Sequence, residues 1–303
     1  MKCIAVIVTY NRCKLLMQNL YMLSKQTKKI DKIIIVDNNS SDGTERSIKN
    51  EFKNSALDID YRYMEKNYGG AGGFYYGIKF AYEDKADFIW LMDDDGRAFN
   101  EYTYENILNE AINLYNQNKI LLLNSLVTYD GVNLSFGFSS TIDKNKQLDI
   151  IEKEKIGNIL YNKVNPFNGT LISKELVEKI GYPRKEFFCG RDETDYLKRS
   201  EKVGATIATI LNSIYYHPES KSKFKKIFGY STQIYEKKQF DKEYYFIRNV
   251  TYTYKDISKI KVWGFFLIRV LAIIIYEDHK FKRIYRIFKA KSDAYKNRMG
   301  KIK

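Results

Sequence analysis

Short apolar runs and amphipathic stretches alternate along the first 92 residues. Apolar or strictly alternating runs predict four β-strands, over residues 3–10, 32–38, 59–65 and 87–92. Apolar residues at helical spacing, or good N-cap residues, predict helices over residues 13–26, 40–52 and 74–84. This βαβαβαβ order predicts a mostly parallel sheet covered by helices, in which ligands bind beyond the carboxyl ends of the strands.

Composition indicates a folded chain. Of 303 residues, 44% are hydrophobic and 15% aromatic, which excludes a disordered protein. Cys3, Cys13 and Cys189 are odd in number and form no CxxC pair, so neither a disulfide framework nor a zinc site is expected, and a reducing cytosol fits. The apolar N-terminal run is short and ends in a polar turn, which predicts a buried strand rather than a signal peptide.

The positive charge is confined to the C-terminal part. Residues 1–218 contain 29 Lys and Arg against 29 Asp and Glu, whereas residues 219–303 contain 22 against 8, which is the whole net charge of +14. We therefore predict a neutral domain over residues 1–218 and a basic, largely helical region over residues 219–303.

Three carboxylates stand side by side in WLMDDDG, directly after the fourth predicted strand. Two unit charges 4 Å apart repel by roughly 4 kcal/mol near a protein surface, so the cluster needs a counterion. In an extended backbone the side chains of Asp93 and Asp95 point the same way, with their Cα atoms roughly 6 to 7 Å apart, and could share one Mg²⁺ or Mn²⁺. The alternative is a solvated acidic turn.

Four glycines, Gly69, Gly70, Gly72 and Gly73, precede the third predicted helix in NYGGAGGF. Their backbone amides, at the positive end of a helix dipole, could approach a phosphate or a sugar. The segment lacks the GK[ST] of a P-loop and does not follow the first strand, as a dinucleotide-binding motif should. A flexible turn is an equal alternative.

The ordered set IVTYNR, VDNNSSDGT, NYGGAGGF and WLMDDDG resembles the nucleotide-sugar-binding half of an inverting glycosyltransferase of family 2 with the GT-A fold. The resemblance covers most of residues 1–220. The NxGGAGGF form is most similar to galactofuranosyltransferases and their relatives, which extend cell-wall, capsule or O-antigen glycans, and rhamnosyltransferases are near neighbours.

The resemblance implies roles for residues at the strand ends. Asp37 would meet the nucleotide base, although a turn-forming Asp before two asparagines is the alternative. Asp93 and Asp95 would hold the metal that bridges the diphosphate, where a cation stabilises the charge of the leaving nucleoside diphosphate. The remaining implied donor contacts are Thr9, Tyr10, Asn11, Arg12, Asp94, Asn67 and the four glycines.

The acidic stretch RDETDY implies the catalytic base. Family members carry two acids, a spacer and a third acid before an aromatic residue, which makes Glu193 the base, with Asp192 as competitor and Asp195 toward the acceptor. The alternative is that these acids only complement the dipole of a helix. Just upstream, residues 165–183 predict a strand and a short helix with Ser173 as N-cap.

His217 follows an apolar strand at the position where related enzymes place a third metal ligand, although a lone histidine is more often structural. Arg248 and Asn249 lie in a YYxxRN segment common in these transferases, which implies contact with acceptor or diphosphate oxygens. His279 is assigned no role.

The apolar run over residues 262–276 is 15 residues long and contains Arg269, so it falls short of the roughly 20 apolar residues of a membrane span. Together with the basic run after it, it predicts amphipathic helices that lie on an anionic membrane surface. The alternative is a helical subdomain packed on the catalytic core, and both could hold.

These observations predict an inverting, metal-dependent glycosyltransferase that moves galactofuranose from UDP-galactofuranose to a lipid-linked or polysaccharide acceptor, peripheral at the inner face of the cell membrane. A rhamnosyl- or hexopyranosyltransferase with the same apparatus is the alternative, and an oligomer is possible. A basic nucleic-acid-binding protein is remote because the nucleotide-like motifs lie in the neutral part. A relative that binds sugar nucleotide without turnover is a further alternative.

Overall fold

The computed structural model describes residues 1–139, 142–220 and 222–302, apart from the side chain of residue 237. Its strands are β1 (Cys3–Thr9), β2 (Lys32–Asp37), β3 (Ile59–Tyr63), β4 (Phe88–Asp93), β5 (Arg97–Ala98), β6 (Leu121–Thr128), β7 (Ile159–Tyr161), β8 (Thr170–Ser173), β9 (Thr206–Tyr216), β10 (Lys223–Ile227) and β11 (Tyr230–Ile234). Its α-helices are α1 (Cys13–Ser24), α2 (Thr44–Glu51), α3 (Gly69–Glu83), α4 (Thr103–Tyr115), α5 (Lys144–Glu154), α6 (Lys174–Ile180), α7 (Asp192–Lys202), α8 (Phe240–Tyr254), α9 (Lys259–Tyr276) and α10 (Lys280–Tyr295).

One mixed, mostly parallel sheet forms the centre of the N-terminal part. Within the described residues its strand order is β3-β2-β1-β4-β8-β6-β9-β5, with β7 on the far side of β9. The first four strands in this order and the β6–β9 pair are parallel, whereas β8 runs antiparallel between them. Every residue of β1 is buried, as expected for a central strand covered on both faces. The predicted fold class is confirmed.

Helix α3 begins at Gly69, five residues before the predicted start, so the glycines belong to the helix and not to a loop before it. The reason is packing against the sheet. A Cβ on Gly73 would lie 2.3 Å from Cγ1 of Val8, and a Cβ on Gly77 would lie 2.3 Å from Cγ1 of Val6. Glycine lowers helix stability, but at these two positions it lets the helix backbone approach β1.

The chain divides into two compact units. The first contains Met1–Asn67, Gly73–Pro183 and Tyr196–Ser220, and the second contains Tyr68–Gly72, Arg184–Asp195 and Lys221–Lys303. The predicted division after residue 218 follows the charge along the sequence and therefore omits the two short segments that the second unit takes from the N-terminal part. Ser173 caps α6 as predicted, because its side chain accepts a hydrogen bond from the Leu176 amide.

The second unit is built from α8, α9 and α10 with the β10–β11 hairpin. Aromatic and aliphatic side chains form its apolar core, among them Tyr244, Phe266 and Ile287. Beside that core, Arg269 is 1% exposed and bonds the carboxylates of Glu243 and Glu277. Arg283 reaches the same Glu243 at 2.7 Å. Buried arginines thus have buried carboxylate partners, which is the condition for such charges to be tolerated.

No helix in the described part of the chain is both long enough and apolar enough to cross a membrane.

Candidate active site

The three carboxylates of residues 93–95 lie where β4 ends, next to the end of β1. Asp93 is the last residue of β4, and Asp94 and Asp95 form the turn that follows. The side chain of Asp94 turns back toward β1, where it accepts hydrogen bonds from the Thr9 hydroxyl at 2.9 Å and the Tyr10 amide at 3.3 Å. Thr9 and Tyr10 therefore position an acid of the cluster, and Thr9 itself is 1% exposed.

Arg12 is the counterion of two of the three acids. Its Nη1 lies 3.0 Å from Asp94 and 2.7 Å from Asp95. The guanidinium comes from the loop after β1, so adjacent parallel strands deliver acid and base to the same edge of the sheet. The sequence prediction placed Arg12 in the nucleotide pocket, and the structure additionally gives it this ionic role.

His217 joins the cluster from the end of β9. Its Nε2 lies 3.2 Å from Asp95, and its Nδ1 lies 2.8 Å from the carbonyl of Pro218. The imidazole packs against Phe136, with ring centroids 4.5 Å apart. Burial lowers the pKa of His217, but the hydrogen bond and charge of Asp95 outweigh it, so the pKa is raised overall. Burial raises the pKa of Asp95, but the hydrogen bond and charge of His217, together with the charge of Arg12, outweigh burial and lower the pKa overall.

Asp93 differs from its two neighbours because its carboxylate accepts no hydrogen bond from the described residues. Desolvation, followed by repulsion from Asp95 and Asp94, raises the pKa of Asp93 to about 8. Burial, with some help from the same acids, raises the pKa of the Tyr215 phenol. The Tyr215 hydroxyl is buried with no hydrogen-bond partner in the described part of the chain, and Gly96 leaves room for it. Within the described residues, the Asp93 carboxylate and the Tyr215 hydroxyl therefore have unused hydrogen-bonding capacity.

The predicted metal ligands are close neighbours that do not yet form a ligand set. Within the described residues, no group of three or more His, Cys, Asp or Glu side chains is arranged to hold a metal ion. Asp95 and His217 are bonded to each other, and the Asp93 carboxylate takes no part in that contact. The donor types nevertheless fit a divalent cation, since carboxylate oxygens suit Mg²⁺ and Mn²⁺ and an imidazole nitrogen suits transition metals.

The loops after β1 and β2 are tied together by Asn11. Its side-chain oxygen accepts a hydrogen bond from the backbone amide of Ser41 at 2.7 Å, and its backbone amide donates to the Ser40 hydroxyl at 2.8 Å. Asn11 has a φ of 53°, in the left-handed region that asparagine tolerates better than most residues. The predicted nucleotide loop is thus held in place by the loop that follows Asp37.

Asp37 is fully buried, and both of its carboxylate oxygens have protein donors. One accepts from the Ser40 amide at 2.7 Å, and the other from the phenol of Tyr61. Tyr61 also lines an open cleft of about 530 Å³ with Ser40 and Tyr63, at the carboxyl ends of β2 and β3. Sequence analysis missed Tyr61, whose only signal is its place in an alternating strand. The contact of Asp37 with the Ser40 amide is the one that the turn-forming alternative describes, and its contact with the nucleotide base stays a prediction.

The glycines at the start of α3 have separate structural roles. Gly69 has a φ of 75°, and a Cβ there would lie 1.9 Å from the Phe188 carbonyl oxygen. A Cβ on Gly72 would lie 2.4 Å from Cβ of Tyr68. Gly69, Gly72 and Gly73 are buried, and Gly70 is exposed. Close packing therefore accounts for three of the four, and their predicted contact with the donor, like that of Asn67, stays a prediction.

The predicted base candidates occupy the first turn of α7. Asp192 is 5% exposed, whereas Glu193 is partly exposed. Asp195 is 6% exposed and pairs with Nε of Arg184 at 3.2 Å. Because a carboxylate must be reachable to accept a proton from an acceptor sugar, this favours Glu193 over Asp192. The Arg184 contact gives Asp195 a structural partner, and its role toward the acceptor stays a prediction.

Arg248 and Asn249 are interior residues, which differs from the prediction that they meet the acceptor or diphosphate. Asn249 is fully buried and donates to the carbonyls of Phe187, Cys189 and Gly190 at 2.8 to 3.1 Å. Arg248 is 1% exposed and donates to the carbonyls of Phe187 and Gly300.

Both residues therefore hold the segment that leads into α7. That segment has unusual backbone geometry, since Phe188, Gly190 and Arg191 have φ values of 63°, 75° and 72°. Such conformations persist only where the surroundings enforce them, and the paired donors of Arg248 and Asn249 supply that enforcement.

Comparison with known proteins agrees with this geometry. Residues 4–134 match the family model described as Glycosyl transferase family 2. The chain is 28% identical over 230 residues to galactofuranosyltransferase GlfT1 of Mycolicibacterium smegmatis, covering 74% of each chain. It is 29% identical over 224 residues to galactofuranosyltransferase GlfT1 of Mycobacterium tuberculosis, covering 74% of this chain and 72% of that one.

Solved structures show the same fold at lower sequence identity. S. aureus TarS 1-349 in complex with UDP-GlcNAc superposes with a TM-score of 0.58 at 14% identity, over 97% of this chain and 81% of that one. Mannosyltransferase PcManGT from Pyrobaculum calidifontis, in complex with GDP-Man and Mn2+, gives a TM-score of 0.57 at 13% identity, over 97% and 75% of the two chains.

Proposed function

We propose, from the premise that this chain is a glycosyltransferase of family 2, that it moves galactofuranose from UDP-galactofuranose with inversion at the anomeric carbon. The sugar is supported by similarity to two mycobacterial galactofuranosyltransferases, and a nucleotide-activated donor by the fold shared with complexes of UDP-GlcNAc and of GDP-Man. The observation that carries the proposal is the acid cluster at the end of β4, in which the Asp93 carboxylate accepts no hydrogen bond from any residue that the structure describes.

Asp93, Asp95 and His217 would hold a divalent cation, Mn²⁺ or Mg²⁺. When bound, that ion would neutralise the charge that develops on the leaving diphosphate. Desolvation, followed by repulsion from Asp95 and Asp94, raises the pKa of Asp93, and a cation at this point would relieve both, since like charges are crowded where one carboxylate accepts no hydrogen bond from the described residues. Arg12 lies beside the same acids, and its guanidinium is suited to diphosphate oxygens once they arrive.

The acceptor hydroxyl loses its proton to a carboxylate oxygen at the start of α7. The oxygen of the acceptor hydroxyl bonds to the anomeric carbon as the bond from that carbon to the diphosphate oxygen breaks, which inverts the configuration. We assign the proton to Glu193, which is partly exposed, and keep the buried Asp192 as the competing base. Arg248 and Asn249 assist by fixing the preceding segment.

The acceptor is a lipid-linked or polysaccharide glycan of the cell surface, and the enzyme works as a peripheral protein at the inner face of the cell membrane. The exclusively C-terminal net charge supports this location, because a basic region is attracted to anionic lipid. The enzyme acts on sugars and binds no nucleic acid.

Release of nucleoside diphosphate tests the proposal directly. The protein is incubated with Mn²⁺, a glycan acceptor and a panel of UDP, dTDP and GDP sugars, and each released nucleotide is measured. We expect release from UDP-galactofuranose, and none after addition of EDTA. Turnover of a dTDP- or GDP-sugar while UDP-galactofuranose stays inert would replace the donor assignment with the rhamnosyl- or hexopyranosyltransferase alternative.

Substitutions in the same assay separate the roles. Asp93→Asn is expected to lower kcat on the order of a hundredfold, because it removes charge stabilisation of the leaving group. Asp149→Asn, an exposed acid of α5, is the matched control and should leave the rate unchanged. Glu193→Gln should abolish transfer while donor binding persists. If Asp192→Asn does so and Glu193→Gln does not, the base is Asp192.

A further inference from the structure

Helix α9 exposes an apolar stripe along its whole length. The exposed fractions are 86% for Ile260, 57% for Trp263, 58% for Leu267, 45% for Ile274 and 57% for Ile275. Their spacing of three, four, seven and eight residues places them on one helix face. The opposite face supplies Phe266 and Ile273 to the apolar core of the second unit. An apolar face opposite the buried one has no role in folding the unit.

Helix α10 carries a second stripe of the same kind. Phe281 is 93% exposed, Tyr285 is 70% exposed and Phe288 is 51% exposed, at i, i+4 and i+7. Large aromatic side chains are costly to leave in water in a row, so three of them on one face indicate a surface with a partner.

The two stripes join into one surface. Phe266 belongs to the buried face of α9 and contacts both stripes from beneath, with its ring 6.1 Å from that of Trp263 and 4.8 Å from that of Phe288. Lys291 of α10 lies over the Trp263 ring, 2.7 Å from its centroid. We name this surface, formed by the exposed apolar residues of both helices, the α9–α10 apolar surface.

Lysines surround the α9–α10 apolar surface. The exposed lysines on the two helices are Lys259, Lys261, Lys280, Lys282 and Lys289. The β10–β11 hairpin adds more basic charge beside the end of α9, where Lys225 lies 5.9 Å from the Tyr276 ring. The exposed acid between the two helices, Asp278, is paired with Arg283, and Glu277 is buried against Arg269.

We infer that the α9–α10 apolar surface docks on an anionic lipid bilayer, with its apolar side chains in the interfacial region and its lysines at the headgroups. This inference rests on the proposed function, because the surface would be the contact by which the enzyme reaches a membrane-held acceptor. Apolar residues on one face and lysines beside them are what an interfacial helix requires.

Charge decides between a bilayer and a second copy of this chain. A twofold symmetric dimer presents the same patch from both sides, so the lysines of one copy would face those of the other. An anionic leaflet instead supplies the opposite charge over the whole surface. The occupant that matches both the apolar stripes and the lysines is therefore anionic lipid.

Vesicle binding by the full chain tests the inference. The chain has two tryptophans; Trp90 is fully buried, so a fluorescence change on adding lipid reports Trp263. We expect a blue shift and co-sedimentation with phosphatidylcholine vesicles that contain phosphatidylglycerol, and little of either with pure phosphatidylcholine. Binding should weaken as salt is raised, because screening reduces the lysine contribution.

Matched variants locate the surface. Leu267→Glu with Ile275→Glu should reduce vesicle binding at least tenfold, and Lys282→Gln or Lys289→Gln should each weaken it by roughly fivefold. Val132→Glu, at a residue that is 69% exposed in the other unit, is the control and should bind like the unmodified chain. Transfer to a water-soluble acceptor should be unchanged in all four, so loss of docking is separable from loss of catalysis.

Two results would overturn the inference. One is equal binding by the Leu267→Glu, Ile275→Glu variant and the unmodified chain. The other is a dimer that this variant dissociates, with no vesicle binding by the unmodified chain, which would make the surface a contact between copies. Failure of UDP-sugar turnover with intact vesicle binding would contradict the proposed function and leave the docking surface standing.

Discussion

Arg12 lies between two carboxylates at the end of β4 and neutralises part of their charge. The contacts are 3.0 Å to Asp94 and 2.7 Å to Asp95, with half of the Arg12 side chain exposed to solvent. The crowded acids of WLMDDDG thus have a protein counterion, which the sequence motif alone does not identify. Within the described residues Asp93 is not an ion-pair partner of Arg12.

Replacing Arg12 should change the response to metal. Arg12→Ala removes a partly solvated pair, so without metal we expect a modest destabilisation of about 1 kcal/mol. The uncompensated acids should then bind Mn²⁺ more tightly, and Tm should rise more on adding Mn²⁺ than it does for the unmodified protein. Thermal melts over a Mn²⁺ titration measure both effects.

Arg62→Ala, which removes an exposed pair with Asp60, is the matched control and should show the unmodified response to Mn²⁺. A Mn²⁺-induced rise in Tm that is the same in Arg12→Ala and in the unmodified protein would show that the cation does not share the acids of Arg12.

At the scale of elements, helix α3 shows how a local preference yields to packing. Glycine is a poor helix former, so the sequence pattern places the helix start after NYGGAGGF. The close approach of Gly73 to Val8 and of Gly77 to Val6 needs residues without a side chain, and the helix therefore includes the glycines. Helix α7 follows its sequence signal more directly, because acids in a first turn complement the helix dipole.

A Cβ at Gly77 should destabilise the protein, although alanine is the better helix former. The added atom would lie 2.3 Å from Val6 Cγ1, and overpacking of this kind costs about 1 to 3 kcal/mol. Gly264→Ala in α9 is the control: no atom lies within 4 Å of a Cβ there, so we expect stabilisation of about 0.5 to 1 kcal/mol.

Urea denaturation measures both free energies of unfolding. Val6→Ala combined with Gly77→Ala should recover part of the loss, since it removes the crowded methyl group. If Gly77→Ala stabilised the protein as much as Gly264→Ala does, α3 would not pack tightly on β1.

At the scale of the whole molecule, charge is divided between a neutral N-terminal part and a C-terminal part that carries the net +14. The structure shows that part of the C-terminal charge is buried and neutralised, so this part does not contribute to the excess. Arg269 and Arg283 lie in the interior of the second unit, with the carboxylates of Glu243 and Glu277 as partners. The exposed charge is mostly lysine, which suits a solvated or membrane-facing surface.

Removing one buried arginine should therefore be costly. Arg269→Met leaves two carboxylates without their main donor, and breaking such a group costs about 3 to 5 kcal/mol. Arg286→Ala removes a pair with the exposed Asp241 and should cost about 1 kcal/mol or less. Chemical denaturation of the full chain compares the two, and equal losses would contradict a buried network.

The sequence by itself determined the order of strands and helices and the place of the acids at the end of β4. It also determined the acidic first turn of α7 and the match of residues 4–134 to the model of glycosyltransferase family 2, because periodicity and motifs are local properties of the chain. Only the tertiary structure decided which side chains meet. It paired Arg12 with Asp95 and Asp95 with His217, and it buried Asn249 against the segment before α7. Those contacts join residues far apart in sequence, and their geometry follows from how the elements pack.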